Sequence, residues 1–541
     1  MFYQRIGSKR IRAGLTAALP LAAGLVAVGV WQLSLPQLGE LLTSSPAVAA
    51  TAEPAPPLQK GVNYGAWFSG RYASASSDFT VTNLIRPAGV EWLALPVACY
   101  QQRPDSTTID CASRRTPTDD DIRHVIRLAH RLGMKVLLRP QVGSEGEWGH
   151  VKITQGNNEA GWTAWFASYR TFITRYAALA AQEDVEQFSI GSELPLTTHR
   201  EKQWREIIAA VRAVYPGRVT YSAHLDDVQR VRFWDALDFI GVDAYYPLTN
   251  KNTPTVAELK TAWQQYVPGL ARLSARWQRP IVFTEIGYRS RDGANRNPGE
   301  WRQQAAVNLQ EQRNAYQAAF ETFWGGTYPW FRGMFWWQWF VDPQQGGSND
   351  TNYTPHDKPA EQVLRTFYGG EPKRAPVQCP DSDKGFVIYG DALASGWQSR
   401  SRNATVNFAH RDANFRGTQA ISLALDSYGA LTLTVAALNT RPYTCLDFYI
   451  HGNGTDRRDL WVFFRDATGR DLVRLWLEYP RYLEGGTVAA RSWRHVRIPL
   501  FDLGADNSEI TALVIQDRSG KSQAPFLLDE IALTGGSGRV P

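Results

Sequence analysis

Two strand-like stretches that each carry a late glutamate decide the fold: VEQFSIGSEL at residues 185–194 and PIVFTEIGY at residues 280–288. Their carboxylates, Glu193 and Glu285, are 285 − 193 = 92 positions apart. A carboxylate at the end of a buried strand is costly unless it has a function. Because these stretches occupy the fourth and seventh strand positions of an eight-fold series, they predict a catalytic carboxylate pair at the mouth of a TIM barrel.

The series extends from residue 61 to residue 370. Amphipathic helical segments separate the predicted strands, and Thr118 with the three aspartates that follow is typical of a helix start. Eight strand–helix units in about 310 residues match a (β/α)8 barrel. The predicted strands are 61–68, 90–99, 135–142, 185–193, 219–224, 238–246, 281–288 and 332–340.

A second domain follows the barrel. Residues 371–380 are rich in proline and predict a linker, after which short alternating strands dominate residues 381–541. This pattern favours a β-sandwich, jelly-roll-like in kind. Because the eight-fold count is complete before residue 371, we expect the barrel to fold without the sandwich.

The first 50 residues predict a signal peptide or a membrane anchor. Four basic side chains precede residues 13–35, which carry no charge and are about long enough to span a bilayer. Ala47–Val48–Ala49 offers a cleavage site far downstream, so cleavage and retention as a tether both stay open. Residues 51–60 form an extended linker. Either outcome predicts a secreted, periplasmic or membrane-anchored protein that faces outward.

Composition narrows the class of partner. The 20 tryptophans in 541 residues suit either sugar-stacking platforms or an aromatic core. The net charge of +6 is spread along the chain, with no basic block interleaved with aromatics, so we expect no nucleic-acid partner. Four cysteines fit an oxidising compartment, and the pairs Cys99–Cys111 and Cys379–Cys445 could form disulfide bonds. No Cys/His cluster has metal-ligand spacing, so the sequence predicts no cofactor and no metal in the barrel.

The predicted strand ends carry the groups that cleavage of a glycosidic bond requires. One carboxyl group must protonate the leaving oxygen, and the other must attack the anomeric carbon or activate water. Aromatic faces can hold the sugar rings. The end residues that could do this are Trp67, Arg139, Ser192, Glu193, His224, Asp243, Tyr245, Tyr246, Glu285, Trp337 and Trp339.

Seven short motifs occur along residues 60–370: Gly61–Tyr64, Arg115–Asp119, Trp165–Arg170, Gly191–Leu194, Phe233–Leu237, Ile240–Leu248 and Phe283–Ser290. In this order and spacing the motifs resemble glycoside hydrolase family 113, which belongs to the clan of retaining barrels with glutamates on strands four and seven. The resemblance implies a retaining β-mannanase-like activity with Glu193 as the acid/base and Glu285 as the nucleophile.

Some positions depart from the clan pattern. Ser192 stands where most of the clan has asparagine, and Arg139–Pro140–Gln141 stands where Lys-Pro-His is expected. His224 replaces an expected asparagine. These positions line subsites, so the reaction type is better supported than mannan as the substrate.

Each of the remaining candidate residues has a predicted role in the site. Tyr246 is the phenol assigned to hydrogen-bond the nucleophile, with Tyr245 as its competitor. Arg139 is expected to pair with Glu285 and hold it ionised. Asp243 supports the site or caps its strand, and Ser192 and His224 contact the substrate. Trp67, Trp337 and Trp339 are the candidate platforms for sugar rings.

In the sandwich, Trp397, Trp461, Trp476 and Trp493 stack sugars or pack in the core. Asp391, Asp529 and Glu530 resemble a calcium site seen in some jelly-roll carbohydrate modules, although plain turn and edge carboxylates are the simpler interpretation.

The sequence thus predicts an exported retaining hydrolase of β-linked hexose polysaccharide or oligosaccharide, endo-β-1,4-mannanase-like. Two alternatives stay open. One is a hydrolase or transglycosidase that trims the cell's own exopolysaccharide, which a tether through residues 13–35 would suit. The other is a non-catalytic carbohydrate-binding surface protein, against which the retention of both glutamates argues.

Overall fold

The structure is a computed structural model that describes residues 57–144, 150–325, 328–380 and 385–535. The predicted leader at 1–50 and most of the linker at 51–60 lie outside the described residues. No helix among the described residues is long and apolar enough to cross a membrane.

Eight parallel strands close into a barrel in chain order, which confirms the predicted (β/α)8 fold. Each predicted strand forms, with ends shifted by a few residues. The strands are β1 Gln59–Gly65, β2 Trp92–Gln101, β3 Lys135–Ser144, β4 Gln187–Ser192, β5 Arg218–His224, β6 Ile240–Asp243, β7 Ile281–Ile286 and β8 Phe331–Phe340.

Helices surround the barrel. The predicted start at Thr118 is a capping box, in which the Thr118 hydroxyl accepts from the backbone N–H of Asp121 and the Asp121 carboxylate accepts from that of Thr118. The segment between β6 and β7 forms two helices, with Pro268 in the first turn of the second. The helices are α1 Ala75–Phe79, α2 Asp119–Arg131, α3 Glu159–Gln182, α4 Glu201–Arg212, α5 Val256–Trp263, α6 Val267–Trp277, α7 Leu309–Phe323 and α8 Pro359–Tyr368.

The barrel interior changes from apolar to polar along its axis. Trp92, Leu137, Val282 and Phe335 belong to one buried apolar cluster that joins β2, β3, β7 and β8 across the interior. Arg139 lies two residues after Leu137 on β3, so its side chain points to the same face, one layer nearer the carboxyl ends. This layer supports the mouth of the barrel, where barrel enzymes carry their chemistry.

The C-terminal domain is antiparallel, which confirms the predicted β class. Its strands are β9 Gly385–Tyr389, β10 Gln398–Ser399, β11 Arg402–His410, β12 Ala420–Asn439, β13 Cys445–His451, β14 Leu460–Asp466, β15 Leu475–Trp476, β16 Trp493–Pro499, β17 Glu509–Asp517 and β18 Gln523–Thr534. The first part of β12 pairs with β18, and its last part pairs with β17. One layer therefore holds β15, β14, β17 and the end of β12, and the other holds the start of β12 with β18, β13, β16 and β9. The inward-facing residues of the two layers pack together in one hydrophobic core.

Both predicted disulfide bonds form. Cys99 at the end of β2 pairs with Cys111 in the following loop. Cys379, in the stretch between the domains, pairs with Cys445 at the start of β13. The second bond therefore ties the segment 371–380, which has no helix or strand, to the sandwich.

The barrel and the sandwich share buried contacts. Phe79 of α1 belongs to the core cluster of the sandwich, and its ring centre lies 5.2 Å from that of Phe501. The Arg374 guanidinium lies 3.8 Å from the centre of the Phe501 ring. Gln344, after β8, bonds both backbone groups of Trp476. These contacts argue against the expectation that the barrel is independent, because removal of the sandwich would expose apolar surface.

Candidate active site

A cavity of about 580 Å³ opens at the carboxyl ends of the barrel strands. Both predicted catalytic glutamates line it. The other lining residues come from strand ends and from the loops that follow them: Trp67, Ala98, Tyr100, Arg115, Gln141, Val142, Gly143, His150, Ser192, His224, Tyr245, Arg289, Gly299, Trp301, Trp337, Gln338, Asn352 and Tyr353. The cavity is therefore rich in aromatic and hydrogen-bonding groups.

Glu285, on β7, is held through both carboxylate oxygens. An Arg139 guanidinium nitrogen lies 2.8 Å from Oε1, and the Tyr245 hydroxyl donates to Oε2 at 2.6 Å. The carboxylate is 7% exposed, and the Arg139 side chain is fully buried. Two donors on a nearly buried carboxylate fix its orientation and favour its ionised form.

Arg139 connects five strands beneath the cavity. Besides Glu285, it donates to Asn63 Oδ1 at 2.5 Å and to the Ser192 hydroxyl at 3.1 Å, and it lies 3.5 Å from Asp243 Oδ1. Asp243 is fully buried and accepts from the Thr284 hydroxyl at 2.8 Å. Burial raises the pKa of Asp243 well above its usual value, and the charge of Glu285 adds to the rise. The expected pairing of Arg139 with Glu285 is confirmed.

Glu193 directly follows β4 and has an uncommon backbone conformation. Its φ of +48° lies in the left-handed region, which few residues other than glycine adopt and which marks a constrained position. Its Oε2 lies 3.2 Å from His150 Nε2, and its side chain is 14% exposed. Its backbone N–H donates to the Ser222 carbonyl at 2.9 Å, which anchors the position to β5.

The two glutamates influence each other's protonation. Burial raises the pKa of Glu285 and the charge of Glu193 raises it further, against the opposing effects of Arg139 and Tyr245. Burial also acts to raise the pKa of Glu193, but His150, His224 and Arg139 outweigh it and lower that pKa.

The structure corrects the assignment of Tyr246. The hydroxyl that reaches Glu285 belongs to Tyr245, whereas Tyr246 packs between the rings of Trp263 and Tyr266 at centre distances of 5.6 and 4.4 Å. Tyr246 does not line the cavity, so its predicted role as a hydrogen-bond donor to the nucleophile is wrong.

The other predicted binding residues divide into two sets. Trp67, Ser192, His224 and Trp337 line the cavity, and the rings of Trp67 and Trp337 lie 6.3 Å apart between centres. Trp339 is only 2% exposed and packs in the barrel core, so it is no platform for sugars. Arg139 and Asp243 lie beneath the cavity and do not line it; they contact Glu285 or its neighbours rather than the substrate space.

The sequence interpretation missed several cavity residues. His150, Arg289, Trp301, Asn352 and Tyr353 all line the cavity from loops after β3, β7 and β8. Arg289 lies in the motif Phe283–Ser290, so its position in the sequence could have identified it as a cavity residue. The other loop residues follow no periodic pattern, so nothing in the sequence sets their direction.

The metal expectations concern both domains. Among the described residues, the group whose ligand atoms lie within 4.8 Å of one another is His356, Asp357 and Glu361, outside the cavity. Lys373 and Arg365 already form ion pairs with this group, so the cluster is best described as an ion-pair network.

In the sandwich, Asp391 accepts from backbone N–H groups of Thr418 and Gln419, and Asp529 accepts from those of Phe415 and Arg416. Calcium at Asp391, Asp529 and Glu530 stays a prediction.

The sequence model of Glycoside Hydrolase Family 113 matches residues 63–358, more than half of the chain. The chain belongs to glycoside hydrolase family 113. A solved GH113 β-mannanase from Alicyclobacillus acidocaldarius is 31% identical, with a TM-score of 0.52, over 58% of this chain and 97% of that one. A solved GH113 β-1,4-mannanase is 29% identical, with a TM-score of 0.53, over 58% of this chain and 99% of that one. A comparison with curated protein sequences finds no match.

This family 113 protein is therefore a glycoside hydrolase, which confirms the predicted enzyme class. The matches cover the barrel, so the family assignment applies to the domain that holds Glu193 and Glu285. The sandwich lies beyond the matched residues.

Proposed function

We propose that the chain is an exported retaining β-mannan hydrolase in which Glu285 is the nucleophile and Glu193 is the acid/base. The observation that carries the proposal is one cavity that holds both carboxylates, of which Arg139 and Tyr245 contact that of Glu285. The solved relatives that are called β-mannanases support mannan as the first substrate to test.

In the first step Glu285 attacks the anomeric carbon, and Glu193 gives its proton to the leaving oxygen. The bond to the leaving sugar breaks as a covalent glycosyl ester forms on Glu285. Arg139 and Tyr245 favour ionised Glu285. Two carboxyl groups in one cavity resist double ionisation, so the pair retains the one proton that this step requires.

In the second step Glu193, now ionised, takes a proton from water. The resulting hydroxide attacks the anomeric carbon and releases Glu285 as a carboxylate, so the sugar leaves with its original configuration. The same donors that favour ionised Glu285 then stabilise the departing group.

Trp67 and Trp337 are the proposed platforms for the sugar rings. Each is half-buried and lines the cavity, so part of each ring can pack against the apolar face of a hexose. Ser192 and His224 offer hydrogen-bonding groups beside Glu193. We assign these residues to substrate contact and Arg139 and Asp243 to support of Glu285.

Export is part of the proposal. Two disulfide bonds, Cys99–Cys111 and Cys379–Cys445, suit an oxidising compartment. The basic start and the uncharged residues 13–35 suit either a cleaved signal or a tether. A secreted, periplasmic or outward-facing anchored enzyme would meet an external polymer or, if tethered, the cell's own exopolysaccharide.

The test is a panel of soluble β-linked polysaccharides and oligosaccharides, read by the release of reducing ends. We expect cleavage of β-1,4-mannan, and a loss on the order of thousands-fold or more in Glu285→Gln. Glu206→Gln, which changes an exposed glutamate on α4, is the matched control and should keep full activity. Cleavage of another polymer alone would replace mannan, and activity retained in Glu285→Gln would refute the catalytic assignment.

A further inference from the structure

The layer of the sandwich that contains β14 presents tryptophans on its outer face. Along β14, Leu460, Val462 and Phe464 point into the sandwich core, so Trp461 points the opposite way. Trp461 pairs directly with Trp476 on β15 and, on its other side, with Gln516 on β17. Trp476, Trp461 and Gln516 thus form one row across three adjacent strands, with a spacing of about 4.8 Å per strand.

Arg518 joins the two tryptophans into one polar and aromatic surface. Its guanidinium carbon lies 5.3 Å from the ring centre of Trp461 and 5.2 Å from that of Trp476. Asp459 accepts from Arg518 Nε at 2.5 Å and holds the side chain in place. Both tryptophans are half-buried, so part of each ring is accessible. We call Trp461, Trp476 and Arg518 the tryptophan face.

The chemistry of this face suits a neutral sugar chain. Hexose rings present C–H groups that pack on indole faces, and their hydroxyls accept from guanidinium N–H groups and donate to carboxylates. The other sandwich candidates offer less: Trp397 is 5% exposed and lies in the core.

The tryptophan face contacts the loop that follows β8, which also carries the cavity residues Asn352 and Tyr353. Gln344, which follows β8, donates to the Trp476 carbonyl at 3.1 Å and accepts from the Trp476 N–H at 2.6 Å. Arg470, after β14, donates to the Ala73 carbonyl in the segment after β1. Trp67 and Trp337, which line the cavity, come from the ends of the same two strands, β1 and β8.

We propose that the tryptophan face is a second carbohydrate-binding site, which holds a distal part of the polysaccharide chain whose reacting bond lies between Glu193 and Glu285. The proposal rests on the proposed function, because it takes the occupant to be the enzyme's own substrate. Gln344 is the positioning residue, since it fixes Trp476 to the loop after β8.

The test uses the full chain and separates polymer from short substrate. Affinity electrophoresis in soluble mannan, performed with Glu285→Gln so that the polymer stays intact, measures binding. Adding Trp461→Ala should weaken retardation by about tenfold in Kd, because a large aromatic contact is lost. In the active enzyme, Trp461→Ala should raise KM for the polymer and leave kcat/KM for a short oligosaccharide within about twofold.

Two further variants keep the test decisive. Trp476→Ala should act like Trp461→Ala. Trp493 is a half-buried tryptophan on the other layer of the sandwich. Trp493→Ala is therefore the matched control and should bind the polymer as the parent does. Parent-like polymer binding in Trp461→Ala, or an equal loss in Trp493→Ala, would overturn the proposal while hydrolysis continues. Absence of hydrolysis on every β-linked substrate would instead refute the proposed function.

Discussion

The two tyrosines that follow β6 have separate tasks, and a single hydroxyl distinguishes them. Tyr245 donates to Glu285, whereas Tyr246 packs against Trp263 and Tyr266. We expect Tyr245→Phe to lower kcat/KM by about ten- to a hundredfold, because a hydrogen bond to a charged group contributes about 1.5–3 kcal/mol. Tyr246→Phe is the matched control and should stay within about twofold of the parent.

The pH profile of Tyr245→Phe checks the cause of that loss. The Tyr245 hydroxyl lowers the pKa of Glu285, and Glu285 must be ionised to attack. Without this donor the pKa of Glu285 rises further, so the acidic limb of kcat/KM should move to higher pH. An unmoved acidic limb would mean that Tyr245 acts in some other way.

His150 is expected to set the position of the alkaline limb in the pH profile of kcat/KM. Its contact lowers the pKa of Glu193, and Glu193 must carry a proton in the first step. His150→Ala removes this effect, so Glu193 should keep its proton to higher pH and the alkaline limb should move upward. His410→Ala, which removes an imidazole from the sandwich, should leave the profile unchanged. A downward shift in His150→Ala would contradict the assignment.

At the scale of the elements, Arg139 links the carboxyl-end halves of β1, β3, β4, β6 and β7. Removing one partner of a buried ion pair leaves an uncompensated charge, so we expect Arg139→Gln to lower the free energy of unfolding by about 3–5 kcal/mol. Arg114→Gln, an exposed arginine, is the control. Chemical denaturation provides the measurement, and a loss below about 1 kcal/mol would show that the network adds little.

The strands were predictable because each is a short, nearly continuous apolar run between helical segments. The placement of Glu193, Glu285, Trp67 and Trp337 in the cavity followed from the positions of the strand ends. The direction of single side chains at the strand ends was not predictable. The pairing of β6 with β7 shifts register between Val242 and Asp243, just before the two tyrosines, so alternation no longer says which one points inward. Similarly, β8 pairs with β1 through a shift beyond Trp336, and Trp337 and Gln338 both line the cavity. Loop residues such as His150 depend on contacts that no local pattern encodes.

At the scale of the whole molecule, the barrel and the sandwich should unfold together. Phe79 of the barrel lies in the core of the sandwich, so Phe79→Ala should cost about 3–5 kcal/mol and lower the single transition seen by calorimetry. Phe68→Ala, at a position 57% exposed, is the control and should change stability little. Two separate transitions, of which only one responds to Phe79→Ala, would show that the domains are independent.

The central claim is that Glu285 forms a covalent bond to the sugar, while Glu193 donates a proton in the first step and accepts one in the second. A 2-deoxy-2-fluoro-β-mannoside with an activated leaving group slows both steps, and the good leaving group lets the glycosyl ester accumulate. Mass spectrometry of the digested enzyme should locate one fluorosugar on the peptide that contains Glu285, and Glu285→Gln should acquire none. A fluorosugar on any other residue, or release of an inverted sugar with no adduct, would contradict the account.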